Sequence, residues 1–183
     1  MLSFVKGKFH ILRNRLRVLY WNSQNGITIG KHVIIEDGVV MSCRAGGHIN
    51  IADNCEISKG VQLITWGGNI EIGQSTSLNP YTVVYGQGGT KIGKGVRIAA
   101  QCVIVPSNHV FDDPDTFIFK QGLSKKGIVI KDDCWLGAGV KVLDGVTIEH
   151  GCVIGANAVV TKNTQRNGVY VGIPAKLLKY RGL

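Results

Sequence analysis

Aliphatic residues recur at every sixth position along most of the chain. The series runs Ile29, Ile35, Met41; Ile51, Ile57, Leu63; Ile72, Leu78, Val84; Ile92, Ile98, Ile104; and then Ile130, Leu136, Val142, Ile148, Ile154 and Val160. A period of six fits neither a lone helix nor a lone strand. It marks a repeat in which each short segment buries its apolar side chain only by stacking on the next. The pattern therefore predicts an all-β fold, a parallel β-helix of hexapeptide repeats. A second register agrees, because a narrow coil needs a small residue four places after each aliphatic one. Those places hold Val33, Val39, Ala45, Cys55, Val61, Gly67, Thr76, Thr82, Gly88, Val96, Cys102, Cys134, Val140, Val146, Cys152, Ala158 and Thr164, and the rule breaks at Asn108.

In the first three turns the spacing lengthens after the third hexad, at Met41, Leu63 and Val84, each time with a glycine pair (Gly46-Gly47, Gly67-Gly68, Gly88-Gly89), whereas from Ile130 onward the hexads run without interruption. Three hexads then make one triangular turn, and the insertions stack at one corner. The longest excursion, Val105 to Val129, leaves from that same corner in the fourth turn. Six turns at about 4.8 Å per stacked strand give a prism roughly 30 Å tall. The expected organisation is a cap at residues 1–26, the β-helix at 27–165 with a loop at 110–127, and a tail at 166–183.

The chain of 183 residues is 44% hydrophobic, as expected of one soluble domain. No apolar stretch approaches the ~20 residues of a membrane span, and no secretion-type segment is read at the start, so a cytoplasmic protein is expected. Four of the five cysteines fall in the small-residue register and are read as packing residues, which suits a reducing compartment.

The net charge of +9 is partly local. Residues 1–20 hold Lys6, Lys8, Arg13, Arg15 and Arg17 and no acid, while Leu2, Val5, Phe9, Leu12, Leu16 and Leu19 fall at spacings of three and four. That is an amphipathic helix. One role is to cover the open edge of the first coil, and a second is peripheral contact with an anionic membrane surface. No nucleic-acid recognition motif accompanies the charge, so no nucleic-acid partner is expected.

A long loop inside so regular a repeat points to function. His109 stands at its root beside Asn108, and the loop carries Asp112, Asp113, Asp115, Phe111, Phe117, Phe119 and Gln121, a mixture suited to a polyhydroxylated ligand.

Ordered along the repeat are Ser77-Leu78-Asn79-Pro80-Tyr81, Val96-Arg97-Ile98-Ala99, Pro106-Ser107-Asn108-His109 and Asp133-Cys134-Trp135-Leu136-Gly137-Ala138. They are followed by Gly155-Ala156-Asn157-Ala158-Val159-Val160-Thr161-Lys162 and Gly172-Ile173-Pro174-Ala175-Lys176. Over residues 29–181 the chain resembles the hexapeptide-repeat acyltransferases, in particular their polysaccharide and sugar O-acetyltransferase branch. The resemblance implies a left-handed β-helix, against the general right-handed preference for parallel crossovers. It implies acetyl transfer from acetyl-CoA to a sugar hydroxyl, with His109 as general base and the Ala138 amide as donor to the developing oxyanion. Asn79, Asn108 and Trp135 would contact the acceptor, and Ala156, Thr161, Lys162 and Lys176 would line the acetyl-CoA groove. That groove is formed between subunits in the family, implying a homotrimer.

Other classes fit less of the pattern. N-acetyl transfer to an amino sugar, free or nucleotide-linked, is the alternative within the family. A zinc enzyme needs three converging histidines, whereas His32, His48, His109 and His150 occupy different slots, so no metal is expected. A non-catalytic scaffold would account for the helix but not for His109 and its loop together.

Overall fold

A computed structural model describes residues 2–182, with side chains from Ile11 onward. The N-terminal helix α1 (Leu2–Asn22) leads into a three-sided parallel β-helix of six coils. Each coil contributes one short strand to each face. In the first coil these are Ile27–Ile29, Ile34–Ile35 and Val40–Ser42, and in the sixth they are Thr147–Ile148, Val153–Ile154 and Val159–Val160.

The sixfold pattern becomes three vertical columns inside the prism. On the first face Ile29, Ile51, Ile72, Ile92, Ile130 and Ile148 stand in register. On the second, Ile35, Ile57, Leu78, Ile98, Leu136 and Ile154 are topped by Tyr170. On the third the column is Met41, Leu63, Val84, Ile104, Val142 and Val160. All of these side chains are buried. Truncating one fully enclosed member to alanine costs about 2–5 kcal/mol, because stacked neighbours above and below cannot collapse into the gap.

The small-residue register holds where hexads run unbroken and fails at the third-to-first corner. There Ala45 and Gly67 are exposed and Gly88 is only half-buried, while Gly47, Thr65 and Gly86 are buried instead. The extra residues push the nominal slot out of the core. The inserted turns still stack tightly. A β-carbon on Gly47 would lie 2.1 Å from the Gly68 carbonyl oxygen, and one on Gly68 would lie 1.9 Å from that of Gly86.

Four cysteines occupy the interior as expected. Their thiols donate to carbonyl oxygens: Cys55 to Gly73 at 3.2 Å, Cys102 to Gly137 at 3.2 Å, Cys134 to Glu149 at 3.1 Å and Cys152 to Gln165 at 3.0 Å. Burial pushes the Cys55 and Cys102 thiols up and the Cys134 thiol up to about 12, the opposite of what a nucleophile needs.

Both ends of the prism are closed. At the bottom α1 lies against the first coil, where the Asn14 amide bonds to the backbone as another strand would: Nδ2 donates to Val33 O at 2.9 Å, and Oδ1 accepts from Ile35 N at 2.8 Å. Asn22 brackets Ile29 in the same way, donating to its carbonyl at 3.2 Å and accepting from its N–H at 2.7 Å. Arg17 donates to Ile35 O at 3.0 Å, Arg13 and Arg17 pair with Asp37, and Val18 and Trp21 pack on the core. At the top Gly168–Val171 continues the second face and turns back through the antiparallel strand Lys176–Tyr180. Arg181 then bonds to Asp133 and to the Gly151 carbonyl.

The outer surfaces of the faces differ. The first presents exposed Thr28, Asn50, Glu71 and Lys91, then half-buried Val129 and Thr147, whereas the third presents Val40, Val83, Val103 and Val159 together with exposed Gln62 and Lys141.

Candidate active site

The loop expected at 110–127 is the greater part of an arm that leaves the third-to-first corner of the fourth coil. Its root is buried at Pro106 and Ser107, where the Ser107 hydroxyl donates to Gln87 Oε1 at 2.7 Å. Asn108 and His109 then pair antiparallel with Ser124 and Leu123, so both arms of the excursion are tied together at the base. Both Asn108 and His109 are exposed. Among the described residues the His109 imidazole has no hydrogen-bond partner, which leaves both ring nitrogens open to a ligand.

The returning strand is held by Asp144, on the fifth coil. Its carboxylate accepts from Ser124 Oγ at 2.7 Å, Lys126 N at 2.8 Å and Gly127 N at 3.0 Å. Sequence reasoning missed this residue, since an Asp-Gly pair at a coil corner looks like turn chemistry and nothing else.

Farther out the arm is a knotted tip. Gln121 donates to Asp113 O and Thr116 O, at 2.8 and 2.7 Å, and Asp113 accepts from the Asp115 N–H and the Thr116 hydroxyl, at 2.9 and 2.7 Å. The Thr116 hydroxyl, with the Asp115 N–H behind it, holds the Asp113 carboxyl below its ordinary value. Asp113 and Gln121 are therefore engaged in folding the arm, while Asp112 and Asp115 remain exposed. Phe117 and Phe119 are stacked at 5.9 Å, with the Lys120 ammonium 5.7 and 5.8 Å from their rings. All three Phe side chains of the arm are largely exposed.

The remaining expected residues divide between two edges of the prism. Thr161 and Lys162 follow the last third-face strand and lie on the same third-to-first edge as His109, two coils higher. Asn79, Ala138 and Ala156 lie on the second-to-third edge, in coils three, five and six. Lys176 begins the final strand, beside Ala175, whose N–H donates to Val159 O at 2.8 Å. Trp135 is on neither edge; it projects from the second face between Arg97 and Val153 and is 55% exposed.

Asn79 is half-buried, and its Nδ2 donates to the Ile98 carbonyl at 2.8 Å, which fixes the amide and leaves its oxygen and second N–H for a ligand. The Ala138 carbonyl accepts from Asn157 N at 2.8 Å, whereas the Ala138 N–H has no partner among the described residues. An exposed, unengaged N–H on a rigid corner is what an anion-stabilising donor requires. Among the described residues no three His, Cys, Asp or Glu side chains form a metal-holding group.

Residues 127–162 match the family model described as bacterial transferase hexapeptide (six repeats). The chain is 31% identical to WbbJ of Escherichia coli K12, named as a lipopolysaccharide biosynthesis O-acetyl transferase, over 74% of each chain. It is 30% identical to a protein of Mycobacterium tuberculosis named as an acetyltransferase, over 96% of this chain but 57% of that longer one. Among solved structures, AntD, an N-acyltransferase from Bacillus cereus crystallised with dTDP-4-amino-4,6-dideoxyglucose and coenzyme A, shares the fold with a TM-score of 0.70. That likeness covers 85% of this chain and 84% of AntD at 21% identity. With the six-coil prism, its arm and the WbbJ match together, the chain belongs to the hexapeptide-repeat acetyltransferases, a family whose acetyl donor is acetyl-CoA.

Proposed function

We propose that the protein is an acetyl-CoA-dependent O-acetyltransferase acting on a sugar hydroxyl of a polysaccharide, lipopolysaccharide or capsule-type glycan. One observation carries the reading. An open imidazole stands on one edge of the third face, and an unpartnered backbone N–H stands on the other.

In a ring of identical subunits each interface joins two different patches, so one edge of a chain meets the other edge of its neighbour. The outer surface of the third face, four valines interrupted by Gln62 and Lys141, supplies the contact that brings them together, in a homotrimer. His109 of one chain then faces Ala138 and Asn79 of the next. His109 takes the hydroxyl proton as the oxygen bonds to the thioester carbonyl carbon. The Ala138 N–H stabilises the oxyanion, the C–S bond breaks, and the proton passes to the departing thiolate to give free coenzyme A. A neutral imidazole suits this task near pH 7, and the elevated cysteine thiols favour direct transfer over an acyl-enzyme. Asn108 and Trp135 flank the acceptor. Ala156, Thr161, Lys162 and Lys176 line the groove for acetyl-CoA, the lysines meeting its phosphates as point charges.

The arm adds exposed phenylalanine rings, on which the apolar faces of sugars can rest. The exposed Asp112 and Asp115 favour a second reading, N-acetyl transfer to an amino sugar, because carboxylates attract an ammonium acceptor. Both reactions belong in the cytoplasm, where acetyl-CoA is made, and the basic helix α1 gives the protein a route to a membrane-borne acceptor.

The test is thiol release from acetyl-CoA with a panel of neutral glycans and amino sugars, with products analysed by mass and by alkali lability. Alkali-labile acetyl on a neutral glycan is expected. Alkali-stable acetyl confined to amino sugars would replace the proposal with the second reading, and binding of acetyl-CoA without turnover on any acceptor would overturn both.

A further inference from the structure

The helix α1 is attached to the coil by its polar side. Asn14, Arg17 and Asn22 make the backbone bonds and Val18 and Trp21 the packing, so the helix cannot roll without giving up the edge it covers. Its opposite side carries Leu12, Leu16 and Leu19, which are 55%, 57% and 66% exposed. Spacings of four and three set these leucines in one line, and Tyr20 at the helix end is 57% exposed beside Trp21. Leu2, Val5 and Phe9 continue the pattern in sequence, and their side chains lie outside the described residues.

Charge selects the occupant. The helix has five Lys and Arg residues and no acid, and Glu36 is the first acidic residue of the chain. Asp37 pairs with Arg13 and Arg17, but no acid lies on the helix itself. Three leucines in a row cover far less than the ~800 Å² per partner of a stable protein interface, and two copies of so basic a segment repel one another. A bilayer asks for neither a large fitted patch nor a complementary protein. It takes a line of leucines into the acyl boundary and sets the cations among its phosphates. Beside the helix a groove of about 780 Å³, whose lining includes Val18 and Ile34, the basic Arg15 and Lys59, His32, and the acidic Glu36 and Asp37, offers room for a lipid headgroup. No described helix is long and apolar enough to cross a membrane, so contact is along the surface.

We infer that the leucine line of α1 is a docking surface for an anionic lipid bilayer, an inference that does not depend on which acceptor the enzyme uses. The experiment is flotation of the full chain with phosphatidylcholine vesicles, with and without phosphatidylglycerol. It uses the wild type and the triple variant Leu12→Ser, Leu16→Ser, Leu19→Ser, with oligomeric state and thiol release on a soluble acceptor measured in parallel. Binding to the anionic vesicles alone is expected, released by high salt as the screening length contracts, and reduced about tenfold or more in the variant. The variant should keep its oligomeric state and its turnover. Equal binding to neutral vesicles, equal binding by the variant, or no binding by the wild type would each overturn the inference. A variant that changes oligomeric state while the wild type ignores vesicles would assign the leucines to a second copy of the chain. Vesicle binding is read without catalysis, so it stands or falls separately from the proposed activity.

Discussion

The two edges that flank the third face are built on opposite principles. At the second-to-third edge every coil turns in the same tight corner, which holds the free Ala138 N–H, with Ala156 one coil above, and presents Asn79 and Tyr81 from fixed positions. At the third-to-first edge four successive coils carry insertions, and what reaches the surface is side chain, culminating in His109 on an arm clamped by Asp144. A repeat can offer rigid dipoles where it is regular and reactive groups where it is interrupted. A site that needs both must draw on two edges.

Removing the reactive group should have the largest effect. His109→Ala is expected to lower turnover by ~10²–10⁴, the range for loss of a general base, with unchanged melting, since the ring makes no contact that holds the fold. Near-wild-type turnover in a folded variant would end the proposed mechanism.

The regular edge can be tested through its backbone. Ala138 and Gly139 occupy the same corner positions as Pro80 and Tyr81 two coils below, with φ of +71° at Gly139 and +62° at Tyr81. Proline suits the first position of such a turn. Ala138→Pro therefore deletes the N–H while keeping the corner, and turnover should fall by ~10²–10³ as for loss of one oxyanion donor. Ala138→Ser, which keeps the N–H, should stay within a few-fold of wild type. Similar activity in the proline and serine variants would remove the backbone from the chemistry.

A smaller effect is expected from loosening the arm without touching the imidazole. Asp144→Ala removes the acceptor for Ser124, Lys126 and Gly127. Hydrogen exchange should rise across residues 106–127 and not in the columns, and turnover should fall about tenfold through misplacement of His109. Faster exchange with no loss of turnover would show that the arm need not be held.

The interior of this molecule is legible in its sequence because the prism leaves each inward position one neighbour above and one below, and only a residue of the right size fits. Hence the three columns, the cysteine slots and the origin of the arm could be read from spacing alone. The register misleads at Ala45, Gly67 and Gly88, where extra residues decouple counting from geometry. The partner of the arm, Asp144, depends on contact between segments some twenty residues apart and has no local signature. Nor does the spacing in α1 say which side turns inward. An exposed strand edge needs hydrogen bonds before it needs apolar cover, and Asn14 and Asn22 supply them.

The strict register also makes the prism a ruler, graduated in steps of about 4.8 Å. The helix α1 underlies the first coil and the arm springs from the fourth, so three graduations, roughly 14 Å, separate the capped coil from the one that carries the imidazole, and the thickness of the helix lies beyond that. While the arm that carries His109 depends on its clamp at Asp144, the spacing of those two coils is fixed by backbone hydrogen bonds along all three faces. It could change only by whole coils, and a chain with one more coil beneath the arm would serve an acceptor held one step farther from its anchor.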